Sequence, residues 1–137
     1  MLVRLPELMS SLGERPVRVL FICHYNRKRS ATAERVFAKD PSLDVRSAGT
    51  STEAMVQVNE RMLDWADIVF VMDDEQQAWL AHRFPGHPRA AQAVTLHIQD
   101  DYHFLDPALV AMLKERVAPH LDRLRAGAPQ ARLPKPR

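Results

Sequence analysis

Apolar positions along this chain follow two alternating patterns, short continuous runs and longer stretches with helical spacing. The short runs are rich in β-branched residues and have the length of buried strands. We predict strands over Val17–Ile22, Leu43–Ala48, Asp67–Met72 and Ala93–Ile98. The helical spacing predicts helices over Ser30–Lys39, Glu53–Trp65, Asp74–Phe84 and Pro107–Leu124.

The order of these elements indicates the fold class. Strands that alternate with helices pair in parallel, and the helices cover both faces of the sheet. We therefore predict an α/β fold, a three-layer open sheet of about four parallel strands, which binds ligands beyond the carboxyl ends of its strands. Pro119 is expected to kink the last helix or to end it early.

The predicted elements divide the chain into one domain and two flanking segments. Residues 17–126 hold all the predicted strands and helices, and a chain of 137 residues has the length of a single domain. Residues 1–16 form an N-terminal extension with helical spacing of its apolar positions. Residues 127–137 form a basic, proline-rich tail, which is predicted to be disordered.

Composition limits the cellular compartments and the classes of binding partner that the chain suits. No apolar run reaches the ~18 residues of a membrane span, and the first residues lack a signal-peptide core. The single cysteine excludes an intrachain disulfide and a multi-thiolate zinc site, and the histidines show no metal-ligand spacing. We expect a cytoplasmic protein with no membrane contact. The net charge of +2 is too small to favour nucleic acid as a partner.

The junction after the first predicted strand carries the candidate chemistry. It reads Cys23-His24-Tyr25-Asn26-Arg27-Lys28-Arg29-Ser30, and a predicted helix follows at once. Such a junction gathers backbone N–H groups and the positive end of a helix, which suits an oxyanion. That field favours the thiolate of Cys23, the form that acts as a nucleophile. Arg29 has a planar fork that can hold two phosphoryl oxygens, and Ser30 can donate to the sulfur.

These residues resemble the low-molecular-weight protein tyrosine phosphatases, whose loop has the form Cys-x5-Arg-Ser/Thr with an asparagine in the same place as Asn26. Three further segments match the family in order. Ser47-Ala48-Gly49-Thr50 looks like the turn after its second strand, and residues 67–73 look like its third strand. Asp100-Asp101-Tyr102 resembles the Asp-Pro-Tyr loop that carries the general acid. The resemblance implies a phosphatase loop after the first strand.

The resemblance also implies a role for each matching residue. Cys23 would attack phosphorus to form a phosphocysteine, Arg29 would hold the phosphoryl oxygens, and Asp100 would be the general acid and then the general base. Support for the loop would come from Asn26, Ser30 and Ser47. The residues implied to bind the phosphate or the substrate are His24, Tyr25, Asn26, Arg27, Lys28, Ser30 and Tyr102. The implied reaction requires no cofactor and no metal.

The chain departs from the family's pattern at several positions. Tyr25 stands where the family usually has glycine, and Lys28 stands where many members have a second cysteine. Asp101 replaces the proline of Asp-Pro-Tyr, so it stays an alternative to Asp100 as the general acid. The residues after Thr50 include none of the aromatic side chains that often line the phosphotyrosine slot. The loop is unusually cationic, which suits a substrate with extra negative charge.

Three hypotheses about function follow. The first is a phosphomonoesterase that acts through a phosphocysteine on a phosphotyrosine protein or a small phosphomonoester, as a monomer or weak dimer. The second is an arsenate reductase-like enzyme, which would need an external thiol because Cys23 is the only cysteine. The third is a non-catalytic module that binds phosphate, a phosphoprotein or nucleic acid. The presence of Cys23, Arg29 and Asp100 favours hydrolysis over the third hypothesis.

Overall fold

The computed structural model describes residues 15–125, so the predicted C-terminal tail and nearly all of the predicted N-terminal extension lie outside the described residues. The strands are β1 (Val17–Cys23), β2 (Leu43–Gly49), β3 (Ile68–Val71) and β4 (Val94–Thr95). The helices are α1 (Arg29–Phe37), α2 (Glu60–Trp65), α3 (Asp74–Arg83), α4 (Pro88–Ala91) and α5 (Pro107–Arg125).

The strands form one sheet in the order β2-β1-β3-β4, and every pairing is parallel. β1 pairs with β2 along its whole length, from Val17 opposite Leu43 to Cys23 opposite Gly49. The chain first moves from β1 to one neighbour and later returns to the other side of β1, so the strand order reverses between β1 and β3. In open α/β sheets a ligand binds at this point, beyond the carboxyl ends of the strands. The predicted α/β fold is confirmed.

Helices cover both faces of the sheet because β1 is buried on both sides. Val19, Phe21 and Cys23 belong to a core that includes side chains of α1 and α5. Leu20 and Ile22 belong to a second core, which includes side chains of α2, α3 and α4. Successive residues of a strand point to opposite faces, so this alternation is the one that the geometry of a strand requires. Cys23 is therefore the last core-facing residue at the carboxyl end of β1.

The predicted helix over Glu53–Trp65 is wrong in its first half. α2 begins only at Glu60, where the Asn59 side chain accepts a hydrogen bond from the Met62 amide at 2.9 Å. The preceding residues, 50–58, instead make backbone hydrogen bonds to β2 and to the loop after β1. These bonds use amides that a helix would need, so a tertiary contact overrides the helical spacing.

The predicted strand over Ala93–Ile98 is shorter in the structure, where β4 has 2 residues. His97 has a left-handed backbone with a φ of 58°, which interrupts the strand. The chain still follows the sheet, since the Ile98 amide donates to the Met72 carbonyl at 2.8 Å. Ile98 is thereby held beside the carboxyl end of β3, and Asp100 follows shortly after it.

The expectation that Pro119 would end the last helix early is also wrong, because α5 continues through it to Arg125, and the expected kink stays a prediction. Pro119 itself is exposed. The buried side chains of α5 recur at intervals of about one turn on both sides of the proline: Leu109, Leu113, Val117, Leu121 and Leu124. Each contributes roughly 1.5–3 kcal/mol of burial, and together they exceed the ~3 kcal/mol that an internal proline costs.

Candidate active site

The loop of residues 24–28 joins β1 to α1 beside the point where the strand order reverses. A cavity of about 210 Å³ adjoins this loop, and its lining consists of Cys23, Tyr25, Arg27, Lys28, Arg29 and Asp100. The structure thus brings the three predicted catalytic residues to one cavity. Asp100 reaches it from a segment that is distant in the sequence.

The sulfur of Cys23 has two polar partners within the loop. Its Sγ lies 3.0 Å from Ser30 Oγ and accepts a hydrogen bond from the Asn26 amide at 3.2 Å. An N–H group and a hydroxyl can both donate to a thiolate, so these contacts stabilise a negative charge on the sulfur. The residue is only 3% exposed, and the cavity is where a substrate would meet it.

Asn26 holds the centre of the loop in shape. Its backbone is left-handed with a φ of 58°, a conformation that asparagine tolerates better than most residues. Its Nδ2 donates to Ser30 Oγ at 2.9 Å and to Ser47 Oγ at 2.8 Å. Ser47 in turn donates to Glu34 Oε1 at 2.5 Å. Sequence analysis did not identify Glu34, because no local pattern distinguishes it from other acidic residues of a helix.

Residues 50–55, which we call the brace, hold the loop through its backbone. Their amides donate to three successive carbonyls of the chain: Thr50 to Cys23 at 3.0 Å, Ser51 to His24 at 3.0 Å and Met55 to Tyr25 at 3.1 Å. Within residues 15–125, no acceptor is found for the amides of His24, Tyr25, Arg27 and Lys28. Free amides in a loop that leads into a helix form a cradle for an oxyanion.

Gly49 marks the closest approach between β2, the brace and the loop. A Cβ atom at this position would lie 2.5 Å from the His24 carbonyl oxygen and 3.0 Å from the Asn26 amide nitrogen. It would also lie 2.7 Å from the Cβ of Ala54. Two of these neighbours are backbone atoms of the loop and cannot move aside independently. The absence of a side chain at Gly49 is therefore a condition for this loop conformation.

Arg29 is held in place although it is charged and only 3% exposed. Its Nη1 donates to Asp73 Oδ2 at 3.0 Å and to the Ile98 carbonyl at 2.9 Å. Its Nε is buried without a hydrogen-bond partner among the described residues, and Asp100 Oδ1 lies 3.6 Å away from it. A buried donor without an acceptor is costly. An anion in the cavity would provide that acceptor, and a guanidinium group suits a phosphoryl oxygen.

Asp73 connects Arg29 to the start of α3. Its carboxylate accepts the bond from Arg29 and also the amides of Glu75 and Gln76 in the first turn of the helix. Burial would raise the pKa of Asp73, but the hydrogen bonds from Arg29 and Gln76 outweigh it and keep the pKa below its ordinary value of 3.8. Asp73 is thus ionised near neutral pH and supplies the counter-charge that orients Arg29.

The neighbouring carboxylates Asp100 and Asp101 occupy different surroundings. Asp100 lines the cavity, and its side chain is 50% exposed, which leaves it open to solvent and to a leaving group. Asp101 is exposed and does not line the cavity. A general acid must lie within reach of the atom that it protonates, so position favours Asp100.

Four residues that the resemblance implied as phosphate or substrate contacts lie outside the cavity lining, namely His24, Asn26, Ser30 and Tyr102. Tyr102 packs against the core that includes side chains of α1 and α5. His24 Nδ1 lies 3.4 Å from Thr50 Oγ1, and its ring meets that of Tyr25 edge-on with 4.2 Å between centroids. His24 thus contacts a residue of the cavity lining, and the part of these four residues in substrate binding stays a prediction.

A buried threonine anchors the segment that carries Asp100. Thr32 is one turn beyond Arg29 on α1 and is 0% exposed. Its Oγ1 accepts a hydrogen bond from the Leu105 amide at 2.9 Å. Leu105 has a left-handed φ of 63°, which is rare for leucine and requires support from its surroundings. One helix therefore positions both Arg29 and the segment of Asp100.

A larger cavity, of about 850 Å³, lies away from the loop and is lined by residues 57–60, 64 and 83–88. Its pairing of His87 Nε2 with Asp64 Oδ1, at 2.7 Å, is structural. His87 Nδ1 accepts the Arg89 amide at 3.1 Å and so caps α4, a short helix that was not predicted. Pro88 fits the first position of that helix. The smaller cavity, which holds the thiol, is the candidate active site.

Metal clusters and membrane spans are both missing from the part of the chain that the structure describes. Residues 15–125 contain no group of three or more His, Cys, Asp or Glu side chains that could hold a metal ion. Over the same residues, no helix combines the length and the apolar character that crossing a membrane requires.

Comparison with known proteins gives similar structures but no similar sequences. The chain matches no family model, and no curated protein matches it. The structure of YwlE arginine phosphatase from Geobacillus stearothermophilus is similar, with a TM-score of 0.64, 21% identity, and coverage of 83% of this chain and 98% of that chain. For the low molecular weight phosphotyrosine phosphatase VcLMWPTP-2 from Vibrio cholerae O395, the TM-score is 0.66 at 18% identity, with 82% and 99% covered.

A third similar structure is the tyrosine phosphatase Wzb from Escherichia coli K30 in complex with phosphate. Its TM-score is 0.64 at 17% identity, and the match covers 78% of this chain and 97% of that chain. At these identities the likeness concerns the fold, and it agrees with the sheet order and with the loop at the carboxyl end of β1. The chain therefore has the fold of the low-molecular-weight protein tyrosine phosphatases.

Proposed function

We propose that this protein is a phosphomonoesterase that works through a phosphocysteine on Cys23. One observation carries the proposal: a single cavity joins the Cys23 sulfur, the unpartnered Nε of Arg29 and the Asp100 carboxyl group. These groups supply a nucleophile, a holder for the transferred anion and a proton donor. Phosphoryl transfer to a cysteine and then to water requires these three roles.

The first step transfers the phosphoryl group to the protein. The Cys23 thiolate attacks phosphorus, and an S–P bond forms while the bond from phosphorus to the ester oxygen breaks. Asp100 donates its proton to that oxygen, so that an alcohol or phenol leaves. Arg29 Nε and the free amides of the loop take up the charge on the non-bridging oxygens.

The second step releases phosphate. Water attacks the phosphocysteine, Asp100 accepts a proton from that water, and the S–P bond breaks to return the thiolate. Ser30 Oγ lies 3.0 Å from the sulfur and can donate to it as the charge returns. The same hydroxyl lies 3.2 Å from the Ala48 carbonyl, which is its alternative acceptor while the sulfur is bonded to phosphorus.

Within this proposal, phosphotyrosine is favoured over phosphoarginine as the substrate. The similar structures include an arginine phosphatase as well as phosphotyrosine phosphatases. In this chain, Arg27 and Lys28 line the cavity beside Arg29 and would repel the guanidinium group of a phosphorylated arginine. Tyr25 is 40% exposed and offers an aromatic surface for an aryl ring.

The proposed chemistry also requires a reducing compartment. Cys23 must carry a free thiol to attack phosphorus, and the chain has no second cysteine that could form a protective disulfide with it. Oxidation would leave a sulfenic acid or proceed irreversibly. The cytoplasm is therefore part of the proposal.

Hydrolysis of p-nitrophenyl phosphate at mildly acidic pH with EDTA tests the proposed function. We expect turnover by the native protein and a rate lower by about 10²-fold in Asp100→Ala, because the leaving oxygen loses its proton donor. Asp101→Ala is the matched control on the adjacent carboxylate and should keep a near-native rate. The reverse pattern would assign the general acid to Asp101. A folded native protein that binds vanadate without turnover would refute hydrolysis and support a phosphate-binding module.

Thr32→Val is expected to slow hydrolysis of esters with poor leaving groups more than that of esters with good ones. Valine keeps the buried volume but removes the acceptor of the Leu105 amide, which loosens the segment of Asp100. We expect a loss of about tenfold in kcat for phenyl phosphate and about twofold for p-nitrophenyl phosphate, which depends less on proton donation. Thr32→Ser restores the hydroxyl and should recover the rate. Equal losses on both esters would contradict a role in positioning Asp100.

A further inference from the structure

Two cations at the cavity have no part in the proposed bond-making steps. Arg27 and Lys28 line the cavity, and both are exposed. Within residues 15–125, neither forms an ion pair with a carboxylate, whereas Arg29 is paired with Asp73 and Asp100. The positive charge of Arg27 and Lys28 is therefore available to a ligand.

Arg27 is held beside the cavity by contacts that leave its charge uncompensated. Its Nη2 donates to the Glu53 carbonyl, in the brace, at 3.4 Å. Its guanidinium carbon lies over the ring of Tyr25, 5.7 Å from the centroid. These contacts restrict the side chain before a ligand arrives, so less conformational entropy is lost on binding. Arg27 is thus a partly preorganised cation with free N–H groups.

A phosphate ester in the cavity would leave the two exposed cations without a direct contact of their own. The phosphoryl group would engage Arg29 and the loop amides, and Asp100 would be protonated for the first step. Arg27 and Lys28 would remain without a partner. A second negative group beside the ester would pair with these two exposed cations, in an attraction that salt screens.

Exposed apolar side chains beside the cavity favour a peptide over a small polyanion. Tyr25, Met55 and Val56 are 40%, 68% and 44% exposed. The Met55 amide is bonded to the carbonyl of Tyr25, a residue of the cavity lining, at 3.1 Å, so Met55 lies close to the cavity. A small polyanion would leave these apolar side chains uncovered, whereas the residues that flank a phosphotyrosine would cover them.

We infer that Arg27 and Lys28 form a second anion site, which selects phosphotyrosine peptides that carry Asp or Glu next to the phosphotyrosine. The inference rests on the proposed phosphatase function and deepens it to a class of substrate. Arg29 and the loop amides recognise the phosphate ester itself, while the second anion site recognises the carboxylate of the adjacent Asp or Glu in the peptide. Attraction of this kind between exposed charges weakens as salt is added.

Two phosphotyrosine peptides that differ only in Glu or Gln beside the phosphotyrosine test the inference. For the native protein at low salt, we expect kcat/KM to be about fivefold higher for the Glu peptide. The ratio should fall towards one in roughly 0.5 M salt, where the screening length is only a few ångströms. In the double variant Arg27→Gln, Lys28→Gln the ratio should be near one at low salt as well, and in Arg27→Glu it should favour the Gln peptide.

Lys114→Gln is the matched control, because Lys114 is an exposed cation on α5 that does not line the cavity. It should keep the native ratio of the two peptides. The inference would be overturned by equal rates on both peptides, or by a ratio that the variants of Arg27 and Lys28 leave unchanged. Turnover of p-nitrophenyl phosphate by the native protein would still support the proposed function in that case. Faster hydrolysis of a small bisphosphorylated ester than of the Glu peptide would overturn the peptide class. Lack of turnover on every ester would overturn both proposals.

Discussion

Replacement of Cys23 by serine is expected to abolish phosphate-ester hydrolysis and to leave the protein folded. A serine hydroxyl keeps the neighbours of the sulfur, Ser30 Oγ and the Asn26 amide, but it is not ionised near neutral pH. The loss of a covalent nucleophile lowers kcat by roughly 10⁴-fold or more. Steady-state hydrolysis of p-nitrophenyl phosphate measures the effect, and circular dichroism verifies the fold.

Phosphate binding provides the control for Cys23→Ser. Arg29 and the free loop amides are unchanged in this variant, so it should still bind phosphate or vanadate when measured by calorimetry. A variant that binds the anion without turnover would show that catalysis requires the sulfur. Turnover above about one hundredth of the native rate would contradict a phosphocysteine, since water would then attack the ester directly.

Gly49→Ala is expected to have the largest effect on stability, because its Cβ would collide with the backbone of the loop. The His24 carbonyl oxygen and the Asn26 amide nitrogen would lie 2.5 and 3.0 Å from the new atom. Forced overpacking of this kind lowers the free energy of unfolding by about 3 kcal/mol. The displaced loop should also lose most of its activity. Urea unfolding and p-nitrophenyl phosphate hydrolysis measure the two effects.

Gly86→Ala separates collision from backbone strain. Gly86 has a φ of 81°, so alanine is strained there, but a Cβ would meet nothing within 4 Å. We expect a loss of about 1 kcal/mol in unfolding free energy and no change in hydrolysis. If Gly49→Ala resembled Gly86→Ala in both measurements, the close approach of β2 and the loop would not be essential.

The fold could be predicted where it depends on residues that are neighbours in the sequence. β1 was predicted to within one residue, because its apolar run is continuous and buried on both faces. The segment 53–65 was predicted less well, since its helical spacing competes with backbone bonds to a distant loop. The prediction that Pro119 would end the last helix failed for a similar reason. The free energy that an internal proline costs is smaller than the free energy gained by burying the apolar side chains of α5 on both sides of it.

Distance in the sequence also decides which residues of the candidate site could be predicted. Cys23, Asn26 and Arg29 could be identified because they form one contiguous motif. Their supporting residues could not be identified, because they meet the loop only after folding. Arg29 and Asp73 are 44 residues apart in the sequence, and Thr32 and Leu105 are 73 residues apart. Long separations of this kind leave no periodic or spacing signal in a single sequence.

The brace has a consequence for how this protein can change over evolutionary time. It holds the main-chain carbonyls of Cys23, His24 and Tyr25, so these bonds do not depend on which side chains occupy positions 24 and 25. Tyr25 illustrates this freedom, since it stands where the family that the loop resembles usually has glycine, while the fold is similar. Under the proposed function, we expect mutations at positions 24 and 25 to alter which phosphate esters are recognised while these bonds are kept. A mutational library confined to these two positions would thus sample new substrate specificities while the backbone of the loop stays held by the brace.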